Sequence, residues 1–167
     1  MNTITMHGNP LHLEGTVPAL GSKAPHFTLC ANDLSPRSLK DFSGKVVVVV
    51  TVPSLDTGVC DMEVRRFNQE LAALSPDISI IAVSCDLPFA QARWCGAAHV
   101  SAVQTLSDYK EAAFGKDYGI LIQELRLLGR AVFVIDRKGT VTYVEIVSEL
   151  GNEPQYDKAL EAAKKAV

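Results

Sequence analysis

Residues 45–52 read Lys-Val-Val-Val-Val-Val-Thr-Val, a β-branched run with no alternation between apolar and polar positions. This pattern is typical of a central strand that is buried on both faces of an α/β sheet. Pro53 ends the strand, and from Thr57 onward apolar residues recur at helical spacing. The run therefore predicts a strand, a short turn and a helix at the centre of an α/β fold.

The other apolar segments alternate between strand and helix patterns. We predict an N-terminal β-hairpin at residues 3–6 and 11–13, and strands at residues 27–30, 78–84 and 103–106. Helices are predicted at residues 86–96, 109–114 and 156–166, and a late hairpin at residues 131–135 and 140–147. The late hairpin makes the predicted sheet mixed. With no repeat or linker composition, we expect one domain over residues 1–167.

Composition and charge narrow the classes of function. The formal net charge is −3, and no basic run exceeds two residues, so nucleic acid and anionic membrane surfaces are not expected partners. The longest apolar run is far too short to span a bilayer. The first residues lack the pattern of a secretory signal peptide. We therefore expect a cytoplasmic protein.

Four cysteines, Cys30, Cys60, Cys85 and Cys95, are spread along the chain. They form no C-x-x-C pair and have no histidine at ligand spacing, which argues against a zinc site. In a reducing compartment such thiols are not a structural disulfide framework. Thiol chemistry and ordinary core packing both remain open for them, and we expect packing for Cys30 and Cys85, which lie in or beside apolar strands.

Cys60 has the strongest case for chemistry. It lies in the first turn of the predicted helix, where unpaired backbone N–H groups and the helix dipole favour a thiolate. That turn also lies at the carboxyl edge of the sheet, where α/β folds bind ligands. On position alone, a buried structural cysteine is about equally well supported. Thr57 lies three residues earlier (60 − 57), so its hydroxyl can face Cys60 or cap the helix.

Three motifs resemble those of the peroxiredoxin family, and in particular its thiol peroxidase branch. The first is Pro53-x-x-x-Thr57-x-x-Cys60, and the second is Asp86-Leu-Pro-Phe-Ala-Gln91, which leads into Cys95. The third is Gly129-Arg-Ala-Val-Phe-Val-Ile-Asp136. The likeness covers nearly the whole chain.

The resemblance implies a thioredoxin-like fold and a role for each matching residue. Cys60 would attack a hydroperoxide and become a sulfenic acid, and Cys95, 35 positions later (95 − 60), would resolve it as an intramolecular disulfide. Thr57 would hydrogen-bond the sulfur, Pro53 would exclude water and Arg130 would supply a fixed cation. The resemblance implies no metal, haem or flavin cofactor. It implies thioredoxin as reductant, a homodimer, and a preference for organic hydroperoxides over hydrogen peroxide alone as substrates.

Two departures from the family pattern follow Cys60, where Asp61 and Met62 replace the small residues expected there. If Cys60 and Cys95 lie on separate packed helices, local unwinding must bring them together, because a disulfide needs Cα atoms within about 7 Å. Gly96 weakens the helix beside Cys95 and favours such unwinding. Trp94 is most simply a packing aromatic.

Two other functions use the same residues. A thiol–disulfide oxidoreductase normally needs C-x-x-C at the helix start, which this chain lacks. A non-enzymatic redox sensor could use the same Cys60–Cys95 switch. The sequence separates that alternative poorly from a peroxidase, and catalytic turnover would decide between them.

Overall fold

The computed structural model describes residues 3–71 and 73–167. In these ranges, eleven strands form two sheets. The strands are β1 (Thr3–Met6), β2 (Asn9–Glu14), β3 (Thr28–Ala31), β4 (Pro36–Ser38), β5 (Val46–Thr51), β6 (Ile78–Ser84), β7 (Gln104–Ser107), β8 (Leu121–Ile122), β9 (Leu127–Leu128), β10 (Ala131–Ile135) and β11 (Val141–Ile146). The helices are a 3₁₀ helix (Leu39–Phe42), α1 (Gly58–Leu71), α2 (Pro88–Ala98), α3 (Ala113–Asp117) and α4 (Tyr156–Lys165). None of them is long and apolar enough to cross a membrane.

The larger sheet has seven strands in the order β11-β10-β5-β6-β7-β3-β4. Strand β5 is fully buried and lies parallel to β6, which lies parallel to β7. The β10–β5, β10–β11, β3–β7 and β3–β4 pairs are antiparallel. The predicted central strand and mixed sheet are therefore confirmed.

Helices cover both faces of this sheet, and the side chains of β5 divide between the two layers. Val46, Val48 and Val50 belong to the core formed with α1, α2 and α4. Val47 and Val49 belong to the opposite core, which contains α3 and the aromatic group Phe27, Phe114, Tyr118 and Phe133. Because β5 contributes to both cores, its residues are apolar without alternation.

The predicted N-terminal hairpin is present as β1 and β2, and it extends into a four-stranded sheet with β8 and β9. Thr5 accepts a hydrogen bond from the Leu150 N–H at 2.8 Å and donates one to Ser148 O at 2.7 Å. The Glu149 carboxylate accepts a bond from the Thr5 hydroxyl at 2.7 Å. The hairpin thus fixes the segment that contains Leu150.

Two helices differ from the predicted bounds. Helix α3 begins at Ala113 rather than near residue 109, because the buried Asp108 carboxylate accepts the N–H groups of Phe114 and Gly115 and sets the helix start. Helix α2 continues past Gly96 to Ala98 and ends at His99, which has a left-handed backbone (φ 54°). Glycine usually takes this left-handed position at a helix end. The sequence therefore predicted that α2 ends at Gly96, two residues too early.

Candidate active site

Cys60 lies in the first turn of α1, which starts at Gly58 directly after β5 and a short loop. Its side chain is fully buried, in the core between the sheet and the helices. Because α1 follows β5 through a short loop, this thiol lies at the carboxyl end of β5, as the sequence predicts. The position combines the positive end of a helix with shelter from bulk water.

Thr57 contacts the sulfur directly. Its Oγ1 lies 2.7 Å from Cys60 Sγ and 3.0 Å from the backbone oxygen of Ser54. The hydroxyl has a single proton to donate. When Cys60 is a thiol, that proton can go to Ser54 O while Oγ1 accepts the S–H; when Cys60 is a thiolate, it can turn to the sulfur. Thr57 can therefore satisfy both forms of Cys60.

Arg130 contacts the same sulfur from the neighbouring strand. It directly precedes β10, which pairs with β5, and its Nη2 lies 3.4 Å from Cys60 Sγ. Nε and Nη2 also donate to the backbone oxygen of Leu150 at 3.2 and 3.0 Å. Only 2% of the residue is exposed. A buried guanidinium with these bonds is a fixed positive charge beside the thiol.

Glu63 completes the cluster and was not singled out from the sequence. It lies one helical turn after Cys60 (63 − 60 = 3), and its carboxylate accepts a hydrogen bond from Arg130 Nη1. Burial raises the pKa of Glu63 to about 7, although Arg130 opposes the rise. Burial alone would lower the pKa of Arg130, but Glu63 and Cys60 reverse that effect and raise it. The spacing from Cys60 was the sequence signal that could have identified Glu63.

The loop between β5 and α1 carries Pro53, which is buried. Asp86, two residues after the end of β6, holds this loop: its carboxylate accepts hydrogen bonds from the Ser54 hydroxyl at 2.7 Å and the Leu55 N–H at 2.8 Å. Asp86 belongs to the second sequence motif, but its contact with the loop was not predicted. These bonds fix the path of the chain between Pro53 and Thr57.

Cys95 lies on α2 and is partly exposed. Its Sγ lies 3.3 Å from Thr105 Oγ1. Cys95 also lines a cavity of about 300 Å³ together with Asn32 and Arg37. Cys60 and Cys95 are both free thiols and pack on the same core. Their sulfur atoms have different hydrogen-bond partners, so the structure brings together Cys60, Thr57 and Arg130 but leaves Cys95 outside this cluster.

The other two cysteines have surroundings unlike that of Cys60. Cys30 is buried, and its Sγ lies 3.6 Å from the backbone oxygen of Ala31. Burial and the nearby Asp108 and Asp86 raise the pKa of Cys85 to about 12, which disfavours a thiolate. Within residues 3–71 and 73–167, no group of three or more His, Cys, Asp or Glu side chains could hold a metal ion.

Comparisons with known proteins agree on one family. The redoxin family model matches residues 19–160. The chain is 54% identical to a thiol peroxidase of Halalkalibacterium halodurans over 167 residues, all of both chains. It is 50% identical to a thiol peroxidase of Bacillus subtilis, over 100% of this chain and 99% of the relative. A solved peroxiredoxin-like protein from Aquifex aeolicus superposes with a TM-score of 0.93 at 36% identity, covering 100% and 98% of the two chains.

Proposed function

Since this chain belongs to the redoxin family and is a thiol-dependent peroxidase, we propose that Cys60 is the residue that attacks the hydroperoxide. The observation that carries this assignment is the placement of its buried sulfur between the Thr57 hydroxyl at 2.7 Å and the Arg130 guanidinium at 3.4 Å. Both groups donate hydrogen bonds, so both stabilise negative charge on the sulfur. In the described ranges, no other cysteine sulfur accepts a hydrogen bond from an arginine.

In the first step, the Cys60 thiolate attacks the terminal oxygen of the hydroperoxide. An S–O bond forms as the O–O bond breaks, and the alkoxide RO⁻ leaves and takes up a proton to become the alcohol. Sulfur is oxidised to a sulfenic acid, and the peroxide is reduced. Arg130 and the Thr57 hydroxyl are placed to stabilise charge as it moves from sulfur to the peroxide oxygens. Pro53, buried in the adjoining loop, limits the access of water.

In the second step, the Cys95 thiol attacks the sulfenic sulfur. An intramolecular Cys60–Cys95 disulfide forms and water leaves, so the step needs no further oxidant. Cys60 lies on α1 and Cys95 on α2, and each sulfur is hydrogen-bonded elsewhere in the reduced protein. The step therefore requires α2 to unwind locally around Cys95. Gly96 and the left-handed His99 make the end of this helix its weakest part.

The disulfide then needs a dithiol reductant to complete the cycle, and we assign this role to thioredoxin. A cytoplasmic location fits this assignment, because that compartment keeps such reductants reduced.

We further propose that organic hydroperoxides are preferred substrates and that the working unit is a homodimer. The two oxidation steps need only side chains of this protein and the peroxide, so we propose no metal, haem or flavin for them.

The assignment is tested by following NADPH loss with thioredoxin, thioredoxin reductase and cumene hydroperoxide. Wild type should turn over continuously, and Cys60→Ser should be inactive. With thioredoxin as the only reductant, Cys95→Ser should consume about one equivalent of peroxide and then stop. Cys30→Ser is the matched control, since Cys30 is a buried cysteine without an arginine partner. Its activity should match that of wild type.

Two outcomes would overturn the assignment. Full turnover by Cys60→Ser would place the chemistry elsewhere. A wild type that reacts once with peroxide but is not reduced again by any dithiol would favour a non-enzymatic redox sensor instead.

A further inference from the structure

A hydrogen bond joins helices α1 and α2, and each of its two residues is a chain neighbour of one of the reacting cysteines. The Trp94 indole Nε1–H donates to Asp61 Oδ1 at 2.9 Å. Asp61 is the residue after Cys60, and Trp94 is the residue before Cys95. Trp94 is only 7% exposed and packs in the core shared by the two helices. The contact therefore fixes α2 against α1 within one residue of each thiol.

Arg65 adds a second connection between the same helices. Its Nε lies 2.9 Å from both oxygens of Asp61, and its guanidinium lies 5.9 Å from the centre of the Trp94 ring. Its Nη1 donates to the backbone oxygen of Ala98 at 2.9 Å. Ala98 is the last residue of α2, where carbonyl groups lack partners within the helix. Arg65 thus caps the turn that contains Cys95 and Gly96.

Two features of that turn weaken the helix. Gly96 costs helix stability relative to alanine, and the helix ends on His99, a non-glycine residue with a left-handed backbone (φ 54°). The Cys95 backbone oxygen is satisfied by the N–H of Val100 beyond the helix end. This bond and the contacts from α1 together hold the turn in place.

We propose that Asp61, Arg65 and Trp94 form an α1–α2 latch that sets the rate of disulfide formation between Cys60 and Cys95. The proposal rests on the function proposed above, because it concerns the second step of that reaction. While the latch is closed, Cys95 stays in its helix beside Thr105 and cannot reach Cys60. Opening the latch frees the last turn of α2, and the cysteines can then approach.

The latch also determines how long the sulfenic acid survives. While it survives, a second hydroperoxide can oxidise it: a further S–O bond forms, the O–O bond breaks, and a sulfinic acid and an alcohol result. This reaction competes with disulfide formation. A tighter latch therefore lowers the peroxide concentration at which the enzyme is inactivated, and a weaker latch raises it.

Arg65→Met tests the proposal, with Arg66→Met as the matched control. Arg66 is the next residue on α1, but its guanidinium faces α4, 4.0 Å from the Tyr156 ring and 3.8 Å from Asp157 Oδ1. Trp94 is the only tryptophan in the chain, so its fluorescence reports on α2. After mixing with peroxide, we expect one phase that depends on peroxide concentration, from sulfenic acid formation, and one that does not, from disulfide formation.

In Arg65→Met the concentration-independent phase should be about fivefold or more faster, because a charged hydrogen bond and an ion pair are lost. The concentration-dependent phase should be unchanged. Arg66→Met should match wild type in both phases. Trp94→Phe keeps the ring but loses the N–H donor, and rapid alkylation with mass spectrometry should show faster disulfide formation and less sulfinic acid at high peroxide.

If Arg65→Met and Trp94→Phe form the disulfide at the wild-type rate, the latch does not control this step and the proposal is overturned, while the proposed function stands. A faster phase in Arg66→Met as well would also overturn it, since the effect would then be general loosening of α1. If wild type itself forms no Cys60–Cys95 disulfide, the proposed function fails, and the latch proposal fails with it.

Discussion

Arg130 makes the contacts on which the site depends most. One buried guanidinium donates to the Cys60 sulfur, to the Glu63 carboxylate and to the Leu150 backbone oxygen. These partners come from the helix start, the next turn of that helix and the segment held by the N-terminal hairpin. Removing one partner of a buried ion pair costs about 3–5 kcal/mol, because the other charge is left unpaired. Arg130 therefore serves both the stability of the site and its chemistry.

Arg130→Lys should slow the reaction with peroxide by about 100-fold, the scale seen when one charge-stabilising donor is lost. A lysine keeps the charge but has one nitrogen, which cannot bond three partners in the planar arrangement of a guanidinium. The measurement is the second-order rate of thiol loss with cumene hydroperoxide. Arg126→Lys, an exposed arginine that pairs with Glu14, is the control. A wild-type rate in Arg130→Lys would contradict the assigned role.

Thr57→Val should also slow this rate, by about tenfold or more, because valine has the same shape but no hydroxyl to donate to the sulfur. Thr57→Ser keeps the hydroxyl and should stay within a few-fold of wild type. The same stopped-flow assay compares the two variants. If Val and Ser give equal rates, the 2.7 Å contact with Cys60 is structural only.

At the level of the elements, the sequence predicted those with strong periodicity and missed those made by tertiary contacts. Strands β5 and β6 and the start of α1 were predicted within about a residue, because their apolar patterns are long and regular. Strands β8 and β9 have two residues each, which is too short for a pattern. The start of α3 depends on the Asp108 side chain, which local propensity does not report.

Helix α2 gives a prediction about the second step of the reaction. Gly96→Ala should slow disulfide formation about fivefold, because alanine stabilises a helix interior by about 1 kcal/mol relative to glycine. The added Cβ meets no atom within 4 Å, so it introduces no clash. Ala97→Gly on the same exposed turn is the opposite control and should accelerate the step. Stopped-flow tryptophan fluorescence measures both, and equal rates would show that α2 does not unwind.

At the scale of the whole molecule, the sequence predicted those contacts of the site whose residues lie close together in the chain, and it missed most of the others. Thr57 and Cys60 lie one turn apart, so spacing alone placed them together. Arg130 lies 70 positions from Cys60, and only the family resemblance pointed to it. The contacts of Glu63 with Arg130 and of Asp86 with Ser54 depend on how sheet, loop and helix pack. Neither the periodicity nor the composition of the sequence predicts that packing.

Stability of the whole chain should depend on pH through Glu63. Its pKa is raised from 4.5 to about 7 by burial, so between these values the folded protein binds more protons than the unfolded one. The free energy of unfolding should therefore decrease as pH rises from about 4.5 to 7. Glu63→Gln does not titrate and should lack this part of the decrease. Urea denaturation of both proteins at pH 5 to 8 tests this, and equal slopes would contradict it.

The most direct test of the account is a single turnover. Reduced wild type, Cys30→Ser, Cys85→Ser and Cys95→Ser are each mixed with one equivalent of cumene hydroperoxide, alkylated and mapped by mass spectrometry. The account predicts a Cys60–Cys95 disulfide in the first three proteins and a Cys60 sulfenic acid in Cys95→Ser. A disulfide that includes Cys30 or Cys85, or oxidation that begins at Cys95 while Cys60 stays reduced, would contradict it.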